Sequence, residues 1–143
     1  MAQNNPAKVF LARYRAIKVR YESILREMEH RREELTSITA PIRDDPVQSS
    51  GSPDRMAEAL ARIIDAEAEL YATKAELDTA LVEILEAIAS VPDEMQKAVL
   101  TLRYVEGLDW IRVAERINYE ISNTYIIHGK GLLEVNRYLC RKL

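Results

Sequence analysis

Two stretches of the chain repeat an apolar side chain in alternating steps of four and three, and that spacing admits few folds. The first runs through Phe10, Tyr14, Ile17, Tyr21, Ile24, Met28, Leu35 and Ile38, interrupted only by Arg31. The second runs through Met56, Leu60, Ile63, Leu70, Leu77, Leu81, Ile84 and Ile88, with Glu67 and Lys74 in the missing places. A mean step of 3.5 residues is the heptad of a coiled-coil seam. Helices are therefore expected over about 8–39 and 53–90, the first of them about 48 Å long at 1.5 Å per residue. Residues 1–7 are polar and expected to fray.

Between the seams, Ala40 to Pro53 reads APIRDDPVQSSGSP. Its prolines, glycine and serines make a loop over 40–52. Ser52 then offers a hydroxyl cap and Pro53 a first helical residue, while Val91-Pro92 ends the second helix. Two helices of similar length joined by a loop fold back as an antiparallel hairpin, with facing residue numbers summing to about 94. Phe10 would lie near Ile84, Ile17 near Leu77 and Ile24 near Leu70. Arg31 would pair with Glu67, and Tyr21 would cover Lys74. The basic start of the first helix (Lys8, Arg13, Arg15, Lys18, Arg20) would lie beside the acidic end of the second (Glu76, Asp78, Glu83, Glu86). A two-helix seam stays half open to water, and such stripes find partners. Self-association is therefore expected through Tyr14, Ile17, Tyr21, Ile24, Leu60, Ile63, Leu70 and Leu77.

Composition agrees with an all-α chain: 48% apolar and 30% charged residues with only 4 Gly and 5 Pro. The net charge of −3 gives no general affinity for nucleic acid, so any phosphate-binding surface must be local. Residues 41–90 hold 4 basic against 11 acidic side chains, whereas 1–40 hold 8 against 5 and 91–143 hold 8 against 7. The single cysteine, Cys140, suits a reducing compartment. With no membrane-spanning run and no signal-peptide pattern, a cytoplasmic location in a bacterial host cell is expected.

After Pro92 the pattern changes to short helices between single-residue stops. Pro92-Asp93 opens a helix to Glu106, which Gly107 ends in the left-handed conformation. Asp109 caps a second helix, Trp110 to Ile117, and Asn118 turns it off. A third runs from about Ile121 to Leu139. This spacing is that of a helix-turn-helix, with Val99, Leu102, Leu108, Val113, Ala114, Ile117, Tyr119, Thr124 and Leu132 as its core. Two domains follow: an oligomerising hairpin over 1–90 and a helix-turn-helix domain over 91–143.

The run Leu102-Arg103-Tyr104-Val105-Glu106-Gly107-Leu108-Asp109-Trp110 resembles the "LRYxEGLSW" stretch of region four of bacterial sigma factors. Val113-Ala114-Glu115-Arg116-Ile117 resembles its "IAERL", and His128 and Leu132 match its third helix. The layout is similar to that of small phage regulators of the ArpU and RinA kind. The resemblance implies a transcriptional regulator of phage or prophage origin whose third helix enters the major groove of double-stranded DNA, with RNA polymerase as a further partner. By that match Ile121, Ser122, Tyr125, Ile126, Gly129 and Lys130 point outward. The DNA-binding set is then Arg112, Arg116, Ser122, Asn123, Tyr125, Ile126 and Lys130. Glu120 stands where the family usually has Ser, and Lys130 is the one basic outward residue of the third helix. Two other readings fit the same layout: a protein-binding or inhibitor module with a repurposed helix-turn-helix, and a DNA-packaging adaptor of the small terminase type.

Trp110 and His128 read as packing residues. His30, His128 and Cys140 have no metal-ligand spacing, and no phosphate loop or nucleophile motif is present. No cofactor, no metal and no enzymatic activity are expected.

Overall fold

The structure, a computed structural model, describes residues 5–39 and 52–142, and the side chains of all of these but Thr39 and Ser52. Of the loop expected over 40–52, residues 40–51 lie outside the described residues, as does the side chain of Ser52; the Ser52 backbone is the first residue of α2. The protein is all-α. It consists of α1 (Pro6–Thr39), α2 (Ser52–Ala89), α3 (Glu94–Leu100), a π-helical turn (Thr101–Val105), α4 (Trp110–Ile117) and α5 (Ile121–Lys142), with no strand among the described residues. No helix among these residues is long and apolar enough to cross a membrane. The chain divides into two compact units, Met1–Ile17 with Leu77–Leu143, and Lys18–Glu76.

In the unit Lys18–Glu76, α1 buries Ile24 and Met28, and α2 buries Ala59, Ile63, Ala66 and Thr73. Arg20 pairs with Glu76, Arg32 with Glu67 at 3.7 Å, and Glu34 with Arg62 at 3.3 Å. Later residues of α1 thus meet earlier residues of α2. The pair expected between Arg31 and Glu67 is replaced. Arg31 is held on its own helix by Glu27 at 2.8 Å and Glu34 at 3.2 Å, the spacings at which helical neighbours meet.

The unit that includes Leu77–Leu143 buries side chains from each of its helices. Ala7, Leu11, Tyr14 and Ile17 of α1 are buried, as are Leu77, Ala80, Ile84, Ala87 and Ile88 of α2. Val99, Leu100, Tyr104, Val113, Leu132 and Val135 are buried in the same unit. Each fully buried large side chain, such as Leu11, Ile84 or Leu100, contributes about 1.5–3 kcal/mol of transfer free energy. Fraying is expected through residue 7; residues 1–4 lie outside the described residues, and Asn5 and Ala7 are tied down. The Ala7 amide donates to Asn136 Oδ1 at 2.9 Å and to Asn5 Oδ1 at 3.1 Å, and Asn136 Nδ2 donates to Asn5 Oδ1 at 3.1 Å. Arg13 pairs with Glu83 at 2.9 Å and Lys142 with Glu86 at 3.5 Å in the same unit.

The buried face of α2 differs from the expected one in a regular way. Ile63, Leu77, Ile84 and Ile88 are buried as expected, but Ala59, Ala66, Thr73 and Ala80 take the alternate seam places, and Ala87 is buried beside Ile88. The expected occupants, Leu60, Glu67, Lys74 and Leu81, sit one residue later, and Leu60 is 44% exposed. Small side chains let helices pack closely, and a search for large apolar residues passes over them. On α1, Leu11 is wholly buried whereas its neighbour Phe10, the expected seam residue, is only half-buried.

The two seams make opposite demands on substitution. Ala80→Leu would overpack a site 1% exposed and should cost about 1–3 kcal/mol in urea-unfolding free energy. Leu60→Ala should cost less than about 0.5 kcal/mol. The reverse order would restore the seam read from large residues alone.

Candidate nucleic-acid interface

The segment after α2 is laid out by single-residue caps. Asp93 accepts from the Gln96 amide at 2.9 Å and starts α3. The expected helix to Glu106 is α-helical only to Leu100. It then widens into the π turn, where the Glu106 amide reaches Thr101 O at 3.0 Å. Gly107, at φ 76, stops it, in a conformation that a Cβ would strain. Asp109 caps α4 by accepting from the Arg112 amide at 2.9 Å. Asn118, at φ 62 and ψ 43, ends α4 in the left-handed region. Both boundaries of α4 are those read from the sequence.

α5 has two chemically distinct sides. Thr124, His128, Gly131, Leu132 and Val135 are buried, and Gly131 allows the close contact. A Cβ there would stand 3.2 Å from Leu100 Cδ1. Ile121, Ser122, Asn123, Tyr125, Ile126, Gly129 and Lys130 are all exposed. At Gly129 a Cβ would meet nothing within 4 Å. Arg112 and Arg116 are exposed one turn apart on α4. With Leu108 and Glu115 they line a shallow hollow of about 370 Å³. Arg116 also reaches Glu106 at 3.7 Å. All seven residues of the expected DNA-binding set are therefore on the surface. The acidic side chains Glu106, Asp109, Glu115 and Glu120 are exposed within the same stretch of chain.

Beneath that surface lies an aromatic layer that the sequence suggested only in part. Trp110 is half-buried, with Tyr125 edge-on at 5.1 Å and His128 at 4.5 Å between ring centroids. The Arg103 guanidinium stands 4.7 Å over the indole, a cation–π contact, and donates to Leu108 O at 3.0 Å. His128 Nε2 lies 2.7 Å from the Tyr104 hydroxyl. Burial pushes the imidazole down to about 4, and the charges of Lys8 and Arg103 act in the same direction. Burial pushes the Tyr104 hydroxyl up to about 12, against the pull of Arg103. At neutral pH both groups are uncharged, and one proton bridges them. The pairing of Tyr104 with His128 carried no sequence signal, because the two lie 24 residues apart.

Other expected residues are placed differently. Tyr119, assigned to the core, is 45% exposed. It follows the left-handed Asn118, and its amide donates to Ala114 O at 3.0 Å. Leu102, Leu108 and Ile117 are half-buried. Of the residues expected to join copies of the chain, Tyr14, Ile17, Ile24, Ile63 and Leu77 are buried within it, Tyr21 and Leu70 are half-buried, and Leu60 is exposed. In the basic start of α1, Arg13 and Arg20 are held by Glu83 and Glu76, and Arg15 packs over Gly107.

Among the described residues no group of three or more His, Cys, Asp or Glu side chains could hold a metal ion. No family model, curated protein or solved structure matches the chain.

The depressed His128 value has a stability consequence whose sign is fixed. The unfolded chain binds a proton below pH 6.5, and the folded chain binds it only near 4. Stability is therefore complete above 6.5 and falls as pH drops through that interval, by up to about 3 kcal/mol. His128→Gln keeps an acceptor without the titration. Unfolding free energies measured at pH 7 and pH 4.5 should show a smaller acid loss for the variant than for the wild type. Equal losses would mean that His128 is protonated in the folded state.

Proposed function

We propose that the chain is a DNA-binding transcriptional regulator of phage or prophage origin, acting in the cytoplasm of a bacterial host and carrying out no catalytic step. In this reading α1 and α2 form an antiparallel hairpin, and 91–143 forms a helix-turn-helix domain resembling sigma factor region four. The third helix, α5, enters the major groove of double-stranded DNA. Homo-oligomers set the spacing of the half-sites.

The observation that carries the reading is the sidedness of α5. One face is buried on α3 and α4. The other presents Ser122, Asn123, Tyr125, Ile126 and Lys130 to solvent over its first turns. Ser122 and Asn123 supply donors and acceptors for base edges or phosphates, Tyr125 a hydroxyl for phosphate, and Ile126 an apolar contact for a thymine methyl. Arg112 and Arg116, one turn apart on α4, supply charge for the backbone on one flank. The ion pairs between α1 and α2, whose partner numbers run in opposite directions, support the hairpin.

A protein-binding role for the same face is the second reading. It is favoured by the exposed apolar side chains of Ile121, Tyr125, Ile126 and Leu133 and by Lys130 being the one basic residue in Ile121–Lys130.

Fluorescence anisotropy with labelled duplexes from a phage regulatory region, titrated over a salt series, separates the two. Three phosphate contacts from Arg112, Arg116 and Lys130 give a log–log salt slope of about −2.7. Each single replacement by Gln should flatten it by about 0.9 and weaken binding to all sequences alike. Ser122→Ala or Asn123→Ala should instead relax sequence preference at one position. No binding to any duplex at low salt would leave the protein-binding reading.

A further inference from the structure

α2 carries a second heptad stripe that is exposed among the described residues. In the unit Lys18–Glu76, the inner stripe of α2 is Ala59, Ile63, Ala66 and Thr73, all buried. Elsewhere on the same helix Ala57, Ala61, Ile64, Ala68, Tyr71 and Ala75 also step by four and three, and every one is exposed. Ile64 is 63% exposed and Tyr71 80%. At 3.6 residues per turn the two stripes lie roughly 160° apart. An exposed apolar stripe kept over three heptads matches another helix, because only a helix follows that period.

We propose that the stripe binds α2 of a second copy of this chain, running antiparallel about a two-fold axis beside Glu69 and Leu70. The choice of a second copy rests on the stripe's own shape and charge. Of its two heptad positions, one holds only alanine (Ala61, Ala68, Ala75), and the other holds Ala57 and then the large residues Ile64 and Tyr71. In a parallel pair like faces like, so Tyr71 would crowd the partner's Tyr71 while Ala68 faced the partner's Ala68 across a gap. Antiparallel pairing sets large on small. Tyr71 covers the partner's Ala68, and Ile64 covers the partner's Ala75.

The flanking charges select one antiparallel register. About this axis Glu67 faces the partner's Lys74, twice by symmetry, and Asp65 faces the partner's Ala72. Sliding the partner by seven residues would instead bring Glu67 onto the partner's Glu67 and Asp65 onto the partner's Asp65. The interface is isologous, the commonest kind in closed dimers. It differs from the surface expected from sequence, most of which is used up inside the chain. It does not depend on DNA binding, so the two readings succeed or fail separately.

Sedimentation equilibrium of the full chain, with far-UV circular dichroism as the check on folding, tests the proposal. The wild type should be a dimer. Ile64→Glu and Tyr71→Glu should each give monomers with unchanged helix content. Glu67→Lys and Lys74→Glu, taken singly, should each weaken the dimer about tenfold. The double variant should return close to wild-type affinity. Arg32→Gln, which removes the partner of Glu67 within its own chain, should leave the dimer unchanged. A wild type that stays monomeric at about 100 µM, an assembly that survives Ile64→Glu and Tyr71→Glu, or a double charge swap as weak as the single ones would each overturn it.

Discussion

The position of α5 depends on the absence of one methyl group. At Gly131 the helix comes so close to Leu100 that a Cβ would stand 3.2 Å from its Cδ1. Leu100 is fully buried and has little room to move. That contact sets the rotation of α5 about its own axis, and the rotation decides which residues meet solvent. Leu132 and Val135 turn inward beside it, while Ile126, Gly129 and Lys130 turn out. Gly129, two residues away, has nothing within 4 Å of a Cβ position. The two glycines thus mark the closed and open sides of one helix.

Beneath the open side, the structure uses rings and neutral polar groups where a surface helix would carry charge. His128 is held uncharged by burial and by the nearby Lys8 and Arg103. Its hydrogen bond to Tyr104 satisfies two groups that would otherwise be costly to bury. The Arg103 guanidinium lies over the Trp110 face. The layer fixes Tyr125 from below through Trp110, which leaves its outer side available.

What could be read from sequence was whatever a single residue decides. Asp109 and Asn118 bound α4 because capping and left-handed turns are local chemistry, and Gly107 acts alone in the same way. The seam of α1 was legible from Tyr14 to Met28, because large apolar residues there have the right period. The seam of α2 was legible only in alternate places. Alanines at 59, 66 and 80 carry too little apolar surface to outvote Leu60 or Leu81, and only the geometry of close packing makes them the better choice. In the candidate interface, Ser122 and Lys130 are exposed, as the family resemblance implied, and so is Arg112. The Tyr104–His128 pair and the π turn did not, because each depends on how helices distant in sequence come together. Asn5 and Asn136 belong to that class as well.

That asparagine pair bears on the order of synthesis. The Ala7 amide, at the first turn of α1, is closed by a side chain 129 residues further along. On a ribosome, Ala7 emerges long before Asn136 has been added. The first turn of α1 therefore acquires this long-range partner only after residue 136 has been made, by which time the whole of α1 and α2 has already been synthesised.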